Sequence, residues 1–454
     1  MTVQRVSIIG FGRFGQLLAA IFKDHFQVQV TDLDAHDGAA HSLAAKRAGE
    51  LGFPFVNAAQ AMDADAIFYC VPISQLEPTL AAHLPYFTEN RPALVADVLS
   101  VKVHAKEIFQ RLLPPRRQAL LTHPMFGPDS VAAQGLAGQT IVLDKFRAQD
   151  DTYDFWKKFF ETQKLKVIEM TAEEHDRVAA ESQGLTHFIG RVLGEFGFAP
   201  TPIDTFGAKM LHQINEQVNN DSWQLFEDLQ TLNPFTIEMR VRLSDAQSRV
   251  FNKLLPNRVD KEKLVVGIQG GRGSFNEEAA TYYLSRTPNV PYELHYLHTT
   301  EHVLQALYEG RVDRGQFAIH NSVGGVVTES ILAMANYRFN IVEEYAIKIA
   351  HALMIAPGAD FNECDTIMTH PQVLRQCKTN LEMKYQRLKK ISGEGDLVDH
   401  AKVAELLAAG EIPANVATMG SKTLAKIHGL EIVEEGLQDA QDNFTSFLWV
   451  ERPH

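Results

Sequence analysis

At 454 residues with 45% hydrophobic content, the chain is long enough for two or three domains, each with its own core. Its formal charge of -13 argues against a binder of phosphate backbones and removes nucleic acid as an expected partner, leaving local basic pockets for small anions. Cys70, Cys364 and Cys377 have neither zinc-site nor disulfide spacing, no apolar run approaches the ~18–20 residues of a membrane span, and the first ten residues lack signal-peptide character, so a cytoplasmic protein without a structural metal is expected.

From residue 6 to about 143, short apolar runs alternate with helical stretches: VSIIG, a helix over 14–23, VQVTD, AIFYCVP, ALVADVLS and ALLTHP. This alternation predicts a parallel sheet with crossover helices. After the first run stands Gly10-Phe11-Gly12-Arg13-Phe14-Gly15, a GxGxxG between strand and helix. Its glycines permit a tight turn, close approach to a pyrophosphate and close helix packing, and the helix N-terminus offers N–H groups to the anion. The second strand ends at Asp32, 17 residues after Gly15, where a carboxylate accepts from the adenosine ribose hydroxyls and repels a 2′-phosphate. NAD rather than NADP is the expected cofactor. Arg13 reads either as a phosphate contact or as a solvent-facing side chain.

Two later strand ends are polar, Asp97-Val98-Leu99-Ser100-Val101-Lys102 and Thr122-His123-Pro124-Met125-Phe126-Gly127-Pro128. In doubly wound folds ligands lie beyond the carboxyl ends of strands, so both segments are expected to border the nicotinamide. His123 is the first candidate for acid–base work, because a histidine can take a hydroxyl proton near neutral pH; the alternative is a histidine capping the turn before Pro124. Lys102 either faces the substrate or caps a helix. From about 150 to 255 strand signals fade, apart from LKVIEM at 165–170, and helical stretches at 172–197 and 207–230 dominate. The polar PNRVDKEK at 256–263 marks a boundary. Beyond it, strands at 264–268, 316–320, 341–349 and 446–451 and helices near 276–285, 371–389 and 401–409 make a second α/β domain.

The segments ADVLSVK, THPMFGPDS and HDRVAAESQGLTHFIGRVL resemble the prephenate and arogenate dehydrogenase family, and TPIDTFGAKMLHQINEQVNNDSWQLFEDLQTLN at 201–233 is similar in particular to the plant arogenate dehydrogenases. The resemblance covers residues 5–255. It implies that His123 hydrogen-bonds the ring hydroxyl undergoing oxidation, that Ser100 helps hold that hydroxyl and the nicotinamide, and that His187 is a second histidine of the pocket, although by itself His187 reads equally as a core histidine. Gln183, beside it, would also line the substrate. Where microbial prephenate enzymes carry an arginine for the side-chain carboxylate, this chain has Lys209; Lys209, Arg191 or a residue of a partner subunit would anchor it. Plant arogenate enzymes carry an aspartate after HPMFGP that meets the substrate ammonium, whereas here Val131-Ala132-Ala133-Gln134 follow, which leans toward prephenate with Gln134 beside the side chain. The family also implies a helical domain that pairs in a homodimer.

Residues 264–452 resemble prephenate dehydratase, through GGRGSFNEEAA at 270–280, NSVGG at 321–325, HPQVLRQC at 370–377 and NFTSF at 443–447. A two-lobed fold like a periplasmic binding protein is implied, with a ligand pocket of Ser274, Asn321, Ser322, Thr445, Ser446 and Phe447. The family's Thr-Arg-Phe is Thr445-Ser446-Phe447 here, and a serine cannot replace a guanidinium that clamps a dianion. The domain is therefore expected to bind an aromatic amino acid as an effector rather than dehydrate; a bifunctional enzyme is the rival reading. The expected architecture is a Rossmann doubly wound domain (1–165), an all-helical substrate and dimerisation domain (166–258) and a dehydratase-like α/β domain (259–454). A binding protein without turnover would lack His123 or Ser100, and both are present.

Overall fold

The computed structural model describes residues 3–32, 43–286, 290–393 and 400–453. The chain divides into two compact units, Met1–Asp245 and Ala246–His454, and the division falls inside the helix Thr236–Leu254 rather than in the polar segment 256–263. The end of that helix already belongs to the second unit: Phe251 stacks on Tyr308 with ring centroids 5.0 Å apart, and Asn252 donates to the Pro453 carbonyl at 3.1 Å.

The first unit is built on β1 (Arg5–Ile9), β2 (Gln27–Thr31), β3 (Ala66–Tyr69), β4 (Leu94–Asp97), β5 (Gln118–Pro124), β6 (Thr140–Asp144) and β7 (Lys166–Glu169). Their order is β2-β1-β3-β4-β5-β6-β7, parallel throughout except where β5 meets β6. Strands β3 and β4 are buried at every residue, as expected where helices cover both faces of a parallel sheet. The chain leaves β1 toward β2 and returns across it to β3, and this reversal opens a crevice at the carboxyl ends of β1 and β3. LKVIEM supplies β7, which pairs with β6, so the sheet domain runs past residue 165. A short edge strand whose single partner lies on the far side of an intervening helix gives no local sign of which domain it joins. The helices Ala172–Ala179 and Leu185–Glu195 form one continuous rod through a π-helical turn at Ala180–Gly184, and Phe206–Asn220 and Trp223–Thr231 pack beside it.

The second unit has two lobes. The first holds β8 (Leu264–Gln269), β9 (Tyr292–His298), β10 (Arg314–Asn321), β11 (Gly325–Val326) and β12 (Asn340–Lys348). The second holds β13 (Ala352–Ile355), β14 (Thr366–Met368), β15 (Lys389–Ile391), β16 (Val416–Gly420) and β17 (Glu431–Glu434), after which β18 (Phe444–Glu451) returns to the first lobe between β12 and β10. The four strands expected from sequence fall in β8, β10, β12 and β18. The helix expected over 371–389 is two short helices, Pro371–Gln376 and Lys378–Lys384, broken at Cys377. The two chain crossings between lobes are bonded to each other: Ile349 N–H donates to Asn443 O at 2.7 Å, Leu437 N–H to His351 O at 3.1 Å, and His351 N–H to the Gln438 side chain at 3.1 Å.

The turn after β1 depends on two glycines. Gly10 has φ +92°, and a Cβ there would lie 2.5 Å from the Cys70 carbonyl oxygen. A Cβ on Gly15 would overlap the Gly10 carbonyl oxygen, so the helix Arg13–Phe22 sits directly on the turn. Gly15→Ala is expected to destabilise the first unit by about 1–3 kcal/mol through overpacking against backbone that cannot retreat. Chemical denaturation of the variant checks this; an unchanged midpoint would contradict the packing.

Candidate active site

The nucleotide turn follows from those glycines. Gly10 N–H donates to Thr31 O at 2.9 Å, and the Asp32 carboxylate accepts from Phe11 N–H at 2.7 Å, which fixes the acid beside the turn. Gly12 has no atom within 4 Å of where a Cβ would stand, so its face is open for backbone to approach a ligand. A cavity of about 190 Å³ lies here, lined by Gly10, Gly12, Asp32, Cys70, Thr79 and His83 among others. This open cradle, the N-terminus of the helix and the acid at the end of β2 fit a dinucleotide. Phe14 is half-buried, its ring centroid 6.3 Å from that of Phe126, and Arg13 pairs with Asp129, both exposed.

At the ends of β4 and β5 the polar residues expected from sequence come together with others. Asp97 is fully buried and accepts from Leu99 N–H at 3.0 Å, from Thr122 N–H at 3.3 Å and from the Lys102 ammonium. Lys102 also donates to the Thr122 carbonyl at 2.5 Å and is 1% exposed. Burial pushes the Asp97 carboxyl up and the Lys102 ammonium down, and each is opposed by the partner's charge. Lys102 therefore neither faces a substrate nor caps a helix; its side chain ties β4 to β5, because an ammonium at this depth needs every acceptor within reach. Ser100 is partly exposed on the loop between Asp97 and Lys102.

His123 is 3% exposed at the end of β5. Its Nδ1 lies 2.7 Å from Nε2 of His175, whose own Nδ1 lies 2.8 Å from the Asp176 carboxylate. Asp176 in turn accepts the backbone N–H groups of Lys102 and Val103, both at 2.8 Å, at the start of the helix Lys102–Leu112. Burial, with the nearby His175 and Lys102, holds His123 well below the ordinary histidine value, so its imidazole is neutral at pH 7. His175 and Asp176 were given no role from sequence, and Asp97 and Thr122 only a place in segments expected to border the nicotinamide. The His175-Asp176 dipeptide opening HDRVAAESQ was the only signal, and nothing local ties it to a strand 52 positions earlier.

His187 is buried on Leu185–Glu195, its Nδ1 has no hydrogen-bond partner, and burial lowers its pKa. Gln183, in the π-helical turn, buries an unpartnered Oε1. Arg191 is committed elsewhere: it donates to the carbonyls of Asp221 at 2.7 Å and Ser222 at 3.3 Å and lies over the rings of Trp223 and Phe226. Lys209 and Gln134 are exposed.

Between the lobes of the second unit lies a cleft of about 790 Å³. Ser274, Asn321, Thr445 and Phe447 line it. Ser274 caps the helix Phe275–Ser285, and Asn321 donates to Asn443 Oδ1 at 2.7 Å and Thr445 Oγ at 2.9 Å. Two expected pocket residues do not line it. Ser446 alternates with Thr445 and Phe447 along β18 and so faces the other side of the sheet, and Ser322 clips the chain by donating to Asp442 O and accepting from Phe444 N–H, both at 2.9 Å. His298, His351, His370 and Lys402 line the cleft without having been expected, and no carboxylate side chain lines it among the described residues.

A family model for the nucleotide-binding domain of prephenate dehydrogenase matches residues 18–169, one for prephenate dehydratase matches 266–454, and one for a TYRAAT1-like C-terminal domain matches 192–264. Arogenate dehydrogenase 2 of Arabidopsis thaliana, a chloroplastic protein, is 34% identical over 255 residues, which cover 55% of this chain and 70% of the relative. Arogenate dehydratase/prephenate dehydratase 1 of the same plant, also chloroplastic, is 30% identical over 202 residues, covering 44% of this chain and 48% of the relative. A solved prephenate dehydrogenase from A. aeolicus, in complex with hydroxyphenyl propionate and NAD+, aligns at 17% identity and TM-score 0.46 over 63% of this chain and 96% of its own. No helix among the described residues is long and apolar enough to cross a membrane. From the nucleotide turn to the helical rod, the chain belongs to the prephenate/arogenate dehydrogenase family, and it carries a prephenate dehydratase domain after it.

Proposed function

We propose that the chain oxidises a cyclohexadienol carboxylate, arogenate or prephenate, with loss of carbon dioxide and formation of a phenol, using NAD. The observation that carries this is the neutral, buried His123 at the end of β5, on the same sheet edge as the nucleotide turn and Ser100. When bound, the nicotinamide accepts a hydride from the hydroxyl-bearing ring carbon. The glycine turn and helix N-terminus hold the pyrophosphate, and Asp32 accepts from the ribose hydroxyls and disfavours a 2′-phosphate. His123 takes the hydroxyl proton as the carbonyl forms. The bond to the quaternary carboxylate then breaks, its electron pair aromatises the ring, and the proton returns to the phenol oxygen.

The lean toward prephenate rested on uncharged residues after Asp129. Gln134 is exposed at the end of its helix, which removes the reason for counting it as a neighbour of the side chain. Two relatives named arogenate dehydrogenase, matching 55% and 53% of this chain, favour arogenate. Purified protein is expected to form NADH faster with arogenate than with prephenate and to use NADP poorly; turnover of neither substrate would defeat the reading. His123→Asn should lower kcat by about 10²–10⁴ with nucleotide affinity retained. Because the folded pKa of His123 lies well below 6.5, the base is lost only as it is protonated, so kcat/KM should hold through neutrality and fall on the acid side, below pH 6.5. A limb centred above pH 7 would assign the proton transfer to another group.

The helical part of the first unit exposes Phe196, Ile203, Phe206 and Trp223, the first three at 79, 88 and 78%. Large apolar side chains left bare can mark a surface that a partner covers, and we read these as part of the face that pairs with a second copy. Sedimentation should give a dimer at micromolar concentration; a monomer would oppose it.

The dehydratase-like domain is proposed to be regulatory, with an aromatic amino acid as its effector. A cleft lined by no carboxylate side chain among the described residues suits the ligand's carboxylate, leaving backbone carbonyls for the ammonium. The retained Thr445, bonded to Asn321 inside the cleft, favours the bifunctional alternative. Titrating the full chain with tyrosine and phenylalanine, and assaying phenylpyruvate from prephenate, separates these. Binding with altered NADH formation supports regulation; phenylpyruvate formation supports the alternative.

A further inference from the structure

Three buried side chains lie in a row: His123, His175 and Asp176, at 3, 2 and 0% exposure. The direction of each hydrogen bond in that row can be worked out from its far end. The Asp176 carboxylate is an acceptor only, and its other contacts are the backbone N–H groups of Lys102 and Val103. Its 2.8 Å contact with His175 Nδ1 therefore carries the histidine's proton. A neutral His175 with its proton on Nδ1 presents a lone pair at Nε2. That lone pair faces His123 Nδ1 at 2.7 Å, so the proton in this second contact belongs to His123.

We propose that His175 and Asp176 are positioning residues that lock His123 in the Nδ1–H tautomer, so that its Nε2 carries the lone pair that accepts the substrate's hydroxyl proton. The inference rests on the reading of His123 as that acceptor and goes beyond it by assigning which nitrogen acts and what fixes it.

The reverse arrangement needs a proton on both nitrogens of His175. A doubly protonated His175 would donate to His123 Nδ1 and leave His123 with its proton on Nε2, unable to accept another. In the arrangement proposed, the row works in the direction of the reaction. As His123 Nε2 takes a proton, its Nδ1–H strengthens its bond to His175, and His175 Nδ1–H strengthens its bond to the carboxylate. The new positive charge is balanced by a fixed anion two links away, without water. Neither His175 nor Asp176 needs to touch a reacting atom.

The row is rigid because each end is held by the fold. Asp176 caps the helix Lys102–Leu112, and its backbone carbonyl accepts from the buried Asn233 side chain at 2.8 Å. The helix that bears both residues, Ala172–Ala179, begins at a capping box between Thr171 and Glu174. The His123 and His175 rings meet edge to face with centroids 4.9 Å apart, which restricts rotation of either.

The test is nitrogen NMR of the full chain with 15N-labelled histidine, the His123 signals being identified by their loss in His123→Asn. Wild-type His123 is expected as the neutral Nδ1–H tautomer before any substrate is added. In His175→Phe, which removes the acceptor while filling the space, it should move toward the Nε2–H form, and kcat should fall by about 10²-fold or more with the KM for the nucleotide little changed. His175→Gln, whose amide oxygen can still accept from Nδ1–H, should keep the Nδ1–H signature and recover most of the lost rate. Wild-type His123 protonated on Nε2, or a tautomer indifferent to His175→Phe, overturns the proposal, and the first of these needs no variant to fold. The spectra require no turnover, so a wild type inactive on arogenate and prephenate would defeat the proposed function while the tautomer is still decided.

Discussion

Taking a lysine ammonium out of water costs several kcal/mol unless its surroundings replace the lost hydration. Lys102 is compensated by the Asp97 carboxylate and the Thr122 carbonyl, one at the end of β4 and the other on β5. The rim of the site depends on this pair. It holds the two strand ends in register, it leaves Ser100 on a short loop with both ends anchored, and its positive charge adds to the burial that chiefly keeps the His123 imidazole neutral. Removing either partner of such a pair costs about 3–5 kcal/mol, because the other charge is stranded. The pair is thus a structural device with an electrostatic by-product that the proposed oxidation uses.

The two units handle polar side chains in opposite ways. In the first, His123, the proposed base, is buried at a strand end and bonded to a chain of buried partners. In the second, histidines and amides line a wide cleft that two lobes share. A buried base suits a proton transfer that must not be short-circuited by water. A cleft of about 790 Å³ between lobes joined by two crossings suits a ligand that is captured and released.

The sheet of the first unit was legible because parallel strands buried on both faces read as continuous apolar runs with glycine turns between them. The five strands of the second lobe, and β9 and β11 of the first, were not read; β13 and β16, for example, are only 4 and 5 residues long and buried at every position, which leaves no alternation to detect. The placement of His123 and Ser100 at the ends of β5 and β4 was legible from the strand pattern. Lys102 was misjudged because a charged residue beside a strand end is normally taken to be exposed, and its carboxylate partner five residues away is visible only once the loop between them folds back. Ser446 was misjudged for a simpler reason: in a strand, neighbours face opposite ways, and a motif carried over as three consecutive letters hides this. His175 and Asp176 meet the site through tertiary packing, which no local pattern records.

The crossings between the lobes of the second unit are hydrogen-bonded side by side, from Ile349 against Asn443 to His351 against Leu437 and Gln438. Two strands stitched in this way form a ribbon, and a ribbon twists and bends far more readily than it stretches or shears. The lobes are thereby left with essentially one soft degree of freedom, rotation about the ribbon, and His351 sits on that axis with its ring edge against Phe275 of one lobe and its Nε2 on Gln376 of the other. A molecule entering the cleft would then meet walls whose relative motion is confined to an arc, and its capture would be read as an angle between the lobes.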